Sequence, residues 1–122
     1  MNKRLFLNWD NLSDTRGLKE LVLVESENDV RLMQSFGIRD VLGVGTGANI
    51  TRGHMRAIKD LTYPQADTSL VFAASRRGRR FAMKVIETIG TVRSINFVPL
   101  PPRQTITKKF LEERVSLHLF VN

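Results

Sequence analysis

The sequence predicts an α/β domain of three layers, with a mainly parallel sheet of four or five strands between helices. Three observations predict it. Leu21-Val22-Leu23-Val24 is a continuous apolar run closed by an acid, Glu25. A short run buried on both faces is how a central parallel strand reads. Strand-like and helix-like segments then alternate along the chain, the order that gives a parallel sheet with helices on both faces. Finally, the helical stretches carry start and stop residues at the right places, Ser26 and Ser75 before two of them, Gly37 and Gly90 after.

Residues 1–17 read as a peripheral N-terminal extension to a single domain over 18–122. Asn11, Ser13, Asp14 and Gly17 are turn formers there, and Trp9 can pin the segment to the body. The first strand covers Leu18 to Glu25. Ser26-Glu27-Asn28-Asp29 matches a capping box, so a helix begins there, with Val30, Met33 and Phe36 as its apolar stripe. The second strand is Asp40 to Val44, followed by a glycine-rich loop. Asn49 or Thr51 caps the next helix, which turns Met55, Ile58 and Leu61 inward and closes at Tyr63-Pro64. Ser69 to Ala74 is the third strand. Ser75 caps a helix from Arg76 to Ile89, with Phe81, Val85 and Ile89 four apart on one face and Arg76, Arg80 and Lys84 four apart on another. Val92 to Val98 is the fourth strand, Thr107 to Glu113 a short helix, and Val115 to Val121 an alternating terminal edge strand.

Composition narrows the function classes. There are no cysteines, which excludes a disulfide scaffold, a zinc finger and a cysteine nucleophile, and fits a reducing compartment with the cytoplasm as the expected location. No apolar run approaches the ~18–20 residues that span a bilayer, and Asn8 and Asp10 interrupt the N-terminus too early for a signal peptide. Lys and Arg number 19 against 12 Asp and Glu, a net charge of +7. The expected partner is therefore polyanionic, nucleic acid before an acidic protein or a membrane surface.

Ligands of such sheets bind outside the carboxyl ends of the strands. Glu25, the Gly43–Gly47 loop and the Ala73–Arg80 segment are all expected on that rim. Glu25 either meets a cation, an arginine or a helix start, or caps neighbouring amides at a solvated edge. Gly43-x-Gly45-x-x-Ala48 formally matches a relaxed dinucleotide fingerprint, but it follows the second strand and lacks the acid ~20 residues on. A tight turn is the favoured reading. Amides of Gly45 and Gly47 cradling a phosphate is another. Arg76, Arg77, Arg79, Arg80 and Lys84 form the strongest charge feature. They start at a helix N-terminus, where the dipole disfavours cations, so a phosphate backbone is the natural compensation. Arg52 and His54 open another helix and offer further phosphate contacts. His118 reads as structural, and no catalytic triad or metal-spaced histidine pair emerges. Phe36, Phe72, Phe81 and Phe97 read as core, which leaves no stacking platform for bases.

These pieces resemble the Toprim domain of topoisomerases, primases, overcoming-lysogenization-defect-type nucleases and small ribosomal-RNA-maturing ribonucleases, over about residues 18–98. Leu21-Val22-Leu23-Val24-Glu25-Ser26-Glu27-Asn28-Asp29 is similar to that family's first strand ending Val-Glu-Gly-x-x-Asp. Gly47 follows the second strand where the family has a glycine. Leu70 to Arg79 falls where the family has a strand ending Asp-x-Asp-x-x-Gly, aligned through Gly78. The resemblance implies Glu25 as a general acid/base and the aspartate pair as the magnesium holder. Those aspartates fall on Ala73 and Ser75, and acids that often surround the glycine fall on Arg77 and Arg79. Ala and Ser cannot hold a hard cation, while arginines there attract phosphate directly.

The expected function is a catalytically degenerate Toprim-like module that binds nucleic acid, structured RNA before DNA, with no cofactor. Arg76, Arg77, Arg79, Arg80 and Lys84 would hold phosphates, with Gly45, Gly47, Arg52 and His54 adding contacts. One alternative is a magnesium-dependent nuclease using Glu25 with Asp29, recognisable by Glu25, Glu27, Asp29 and Asp67 gathering within ligand reach. Another is a non-catalytic subunit whose basic face docks an acidic protein in a larger nucleoprotein complex.

Overall fold

Leu21 to Val24 is fully buried, and the strand that carries it, β1 (Leu18–Val24), has a parallel neighbour on each side. The computed structural model describes residues 5–45, 49–101 and 103–115. Along these run α1 (Trp9–Leu12), β1, α2 (Glu27–Ser35), β2 (Val41–Gly43), α3 (Arg52–Leu61), β3 (Thr62–Ala73), α4 (Arg76–Ile89), β4 (Ser94–Leu100) and α5 (Lys108–Arg114). The sheet order is β2-β1-β3-β4, parallel throughout, with Val22 opposite Val41, Val24 opposite Val71 and Val71 opposite Val98.

Because side chains alternate along a strand, this register sorts the apolar residues into two cores. Leu21, Leu23, Leu42, Leu70 and Phe72 face Ile58 and Leu61 of α3 and Phe81, Val85 and Ile89 of α4. Val22, Val24, Val41, Val71 and Val98 face Val30 and Met33 of α2 and Phe110 and Leu111 of α5. The three layers arise from that sorting. Among the described residues no helix is long and apolar enough to cross a membrane.

Several boundaries differ from the sequence expectation, each for a local reason. β3 starts at Thr62, well before Ser69, and the Tyr63-Pro64 pair lies inside it. The residue before a proline is pushed to extended backbone, which ends a helix and equally starts a strand. The early part pairs only loosely: Leu18 meets Thr62, then a register shift brings Glu20 opposite Asp67. β4 starts two residues late because the amides of Val92 and Arg93 still donate to the carbonyl of Ile89 at 3.0 and 3.1 Å, prolonging the turn after α4. The expected terminal strand lies outside the described residues beyond Val115.

The described part of the N-terminal segment, from Leu5 on, is not peripheral. Phe6 and Leu12 are 1% and 4% exposed and belong to the α3/α4-side core. Leu7 and Gly43 exchange backbone hydrogen bonds of 2.7 and 3.1 Å in an antiparallel bridge along the outer edge of β2. A Cβ on Gly43 would stand 2.9 Å from the Leu7 side chain, so the bare glycine permits this approach. At the opposite edge, the Leu100 carbonyl accepts from Ala74 at 2.7 Å. Alternation then turns the backbone of Ile95, Phe97 and Pro99 outward. Pro99 has no N–H to offer there, as suits an edge strand.

Arg93, only 9% exposed, holds the turn between α3 and β3. Its guanidinium donates to the carbonyls of Lys59 and Thr62 at 3.0 Å each and to Thr62 Oγ1 at 2.7 Å. A cation at a helix C-terminus also meets the negative end of the dipole. Arg93→Met is expected to strand these acceptors and to cost about 2–4 kcal/mol. Arg93→Lys should recover only part of it, since one ammonium cannot reproduce the planar fork. Urea unfolding of both variants checks this.

Candidate functional site

All four strands run the same way, so their carboxyl ends share one edge, and α2, α3 and α4 start from it. Glu25 sits just past β1. Its backbone carbonyl accepts from the amide of Gly45 at 2.8 Å, and its Oε1 accepts from the amide of Ala73 at 2.7 Å. One residue thus joins the loop after β2 to the end of β3. The three segments expected on one rim do meet there, as far as Gly45; Gly47 and Ala48 lie outside the described residues. Of the two roles open to Glu25, the structure displays the capping of a neighbouring amide.

The start of α4 is set by two short-range contacts. Ser75 is its N-cap, and Ser75 Oγ accepts from the amide of Gly78 at 3.0 Å. Gly78 lies against the end of β3, where a Cβ would stand 2.1 Å from the Ala73 carbonyl oxygen. Only a glycine lets the helix approach that closely. Arg76, Arg77, Arg79, Arg80 and Lys84 are all exposed. Arg79 Nε donates to the Ala74 carbonyl at 3.3 Å, and its guanidinium stands 5.8 Å from the ring centroid of Phe97. The ion pairs seen among the described residues, such as Arg31 with Glu27 at 2.9 Å, do not include the α4 cations. Arg52 is exposed at the first position of α3.

His54 is not on this surface. It is 5% exposed, with both ring nitrogens engaged. Nδ1 accepts from the amide of Thr51 at 3.1 Å in a capping box, and Nε2 faces the Leu5 carbonyl at 3.0 Å, which assigns the proton to Nε2. Its ring meets Phe6 edge-on, centroids 4.9 Å apart. The phosphate contact expected of His54 is therefore corrected to a structural tie between α3 and the N-terminal segment. Phe97 packs against the α3/α4-side core as expected but stays half-buried, and its place beside Arg79 comes from the three-dimensional adjacency of α4 and β4.

The acids do not gather. Glu27 pairs with Arg31 along α2. Asp67 stands opposite Glu20, near the amino end of the sheet. That is five residues before Glu25 on the neighbouring strand, about 16 Å away at ~3.3 Å per residue. Among the described residues no three His, Asp or Glu side chains form a group able to hold a metal. The residues present thus do not fit the magnesium ion that a Toprim site implies. Ala73 and Ser75 supply no carboxylate, and the Glu25 carboxylate is bonded to a backbone amide.

Gly78→Ala should gain helix propensity of ~1 kcal/mol but force the helix off the Ala73 carbonyl, for a net loss of about 1–3 kcal/mol in denaturant unfolding. Burial, partly opposed by the bond to Leu5, holds His54 below its ordinary pKa of 6.5. The unfolded chain then takes up a proton that the folded chain refuses, so this contribution is complete above 6.5 and is lost as pH falls below it. Thermal melts from about pH 7.5 to about 5 should show that loss in the wild type and a shallower one in His54→Gln.

No protein family and no curated protein matches the chain by sequence. Solved structures do. The E. coli primase catalytic core superposes with a TM-score of 0.66 at 21% identity, over 88% of this chain and 34% of that one. A DNA primase domain from Pseudomonas aeruginosa gives 0.63 at 22%, over 77% and 29%. The DnaG primase catalytic domain solved bound to single-stranded DNA gives 0.64 at 22%, over 79% and 30%. The chain spans about a third of the length of these cores, and at such identity the likeness is one of fold. The chain's parallel four-stranded sheet between helices is the α/β fold of part of those primase cores, and it is consistent with the Toprim domain that the sequence resembles.

Proposed function

We propose that the chain is a nucleic-acid-binding Toprim-like domain that grips phosphates through the start of α4 and lacks magnesium-dependent phosphoryl transfer. The observation that carries the reading is the cluster of exposed cations, Arg76, Arg77, Arg79, Arg80 and Lys84, on the edge where a Toprim site would place its acids. Four arginines against the positive end of a helix dipole are unfavourable unless an anion joins them. A polyphosphate backbone supplies that anion, and releasing its counterions supplies affinity. Arg52 extends the same surface, whereas the phosphate contact expected of the Gly45 amide is corrected, because that amide is bonded to the Glu25 carbonyl. Structured RNA is favoured over DNA by the resemblance to ribosomal-RNA-maturing ribonucleases.

A nuclease built on Glu25 and Asp29 has less support. Asp67 lies toward the other end of the sheet, and no metal group forms among the described residues. Millimolar Mg²⁺ is accordingly expected to leave the melting temperature unchanged. A saturable rise that vanishes in Glu25→Gln would restore the nuclease, because a ligand of the native state must stabilise it.

Salt-dependent binding tests the main claim. Replacing Arg76 and Arg80 together by Gln should flatten the slope of log affinity against log salt by roughly one to two units, alike for unrelated sequences. Folding stability should hold or rise slightly, as dipole repulsion is relieved. An unchanged affinity and slope would make the cluster a solvated face and point instead to an acidic protein partner.

A further inference from the structure

The flank of α4 that faces β4 carries three features that phosphate binding alone does not need. Arg79 stands 5.8 Å over the Phe97 ring, and its Nε is bonded to the Ala74 carbonyl. The guanidinium is thus held on two sides while the residue stays exposed. Met83, four residues on and so adjacent on the helix surface, is 53% exposed. Beneath them β4 is the outermost of the described strands, with the half-buried Ile95 and Phe97 on the α4 side. A solvated charged face needs no aromatic under its arginine and no exposed methionine beside it.

We infer that this flank is a stacking platform for an unpaired nucleobase, formed by Arg79 over Phe97 with Met83 beside it. The guanidinium plane offers a face on which a base can stack, and Phe97 fixes that face in place. Arg76 lies three residues before Arg79 on the same flank, placed to take the phosphate next to the stacked base. Duplexes keep their base faces covered, so the platform selects single-stranded segments, a free strand or the loop of a folded one. Charge complementarity points to the same occupant, since the cluster beside the platform carries one sign and the chain a net charge of +7. The inference rests on the phosphate-binding reading and adds to it which part of a polynucleotide the domain reads.

Fluorescence anisotropy of the full chain with labelled oligonucleotides tests it. The probes are a single strand, the same strand made wholly abasic, and a duplex, in deoxy and ribo forms where they exist. Stacking of one base should make the intact strand bind roughly five- to hundredfold tighter than the abasic one. Phe97→Leu, which keeps an apolar side chain, and Arg79→Lys, which keeps the charge, should each remove most of that difference. Phe97→Leu should leave duplex affinity and the salt slope unaltered. Equal binding of intact and abasic strands, with the salt slope retained, would overturn the platform while leaving phosphate binding in place. Loss of all binding to every probe would overturn both. Comparing deoxy with ribo strands assigns the source of the base.

Discussion

The rim depends on one hydrogen bond, from the amide of Ala73 to the carboxylate of Glu25. The ladder between β1 and β3 ends at Val24 and Val71, two residues short of Ala73. Past Val24 and Val71 the two strands have no further paired residues. The carboxylate closes that gap, and a charged acceptor makes a shorter and stronger bond than a carbonyl would. Ala73 in turn positions the start of α4. Its carbonyl is the wall against which Gly78 lies, and the neighbouring Ala74 carbonyl anchors Arg79. An acid at this position need not touch a metal to be indispensable to the surface.

The cationic helix start is tolerated because α4 does not rely on its first turn for stability. Phe81, Ala82, Val85 and Ile89 bury its inner face, and Ser75 satisfies an end amide. Packing of this kind outweighs the few tenths of a kcal/mol that each misplaced charge costs at a helix end. Charge at the start of this helix is therefore set independently of the architecture that holds it.

Much of this was legible in the sequence. The run Leu21 to Val24 identified the central strand because a fully apolar tetrad has no face for solvent. Ser26 and Ser75 prove to be N-caps, and of Asn49 and Thr51 it is Thr51, since capping chemistry is local. The rim was legible too, because parallel topology alone gathers the strand ends. What depended on distant contacts was not. The core role of Phe6 and Leu12 required knowing that Leu7 reaches Gly43. The burial of His54 required the carbonyl of Leu5, forty-nine positions away. Phe97 packs against the core as its position suggests, and its place under Arg79 depends on the adjacency of α4 and β4.

The bridge between Leu7 and Gly43 also bears on how copies of the domain could ever associate through their sheets. An open sheet has two sides from which a ladder can grow, and growth from both produces an unlimited stack. Here the chain's own N-terminal segment occupies the side of β2, so only the side of β4 is left among the described strands. Among the described strands, two copies meeting there would each consume the other's open side, and joining by that route stops at a pair.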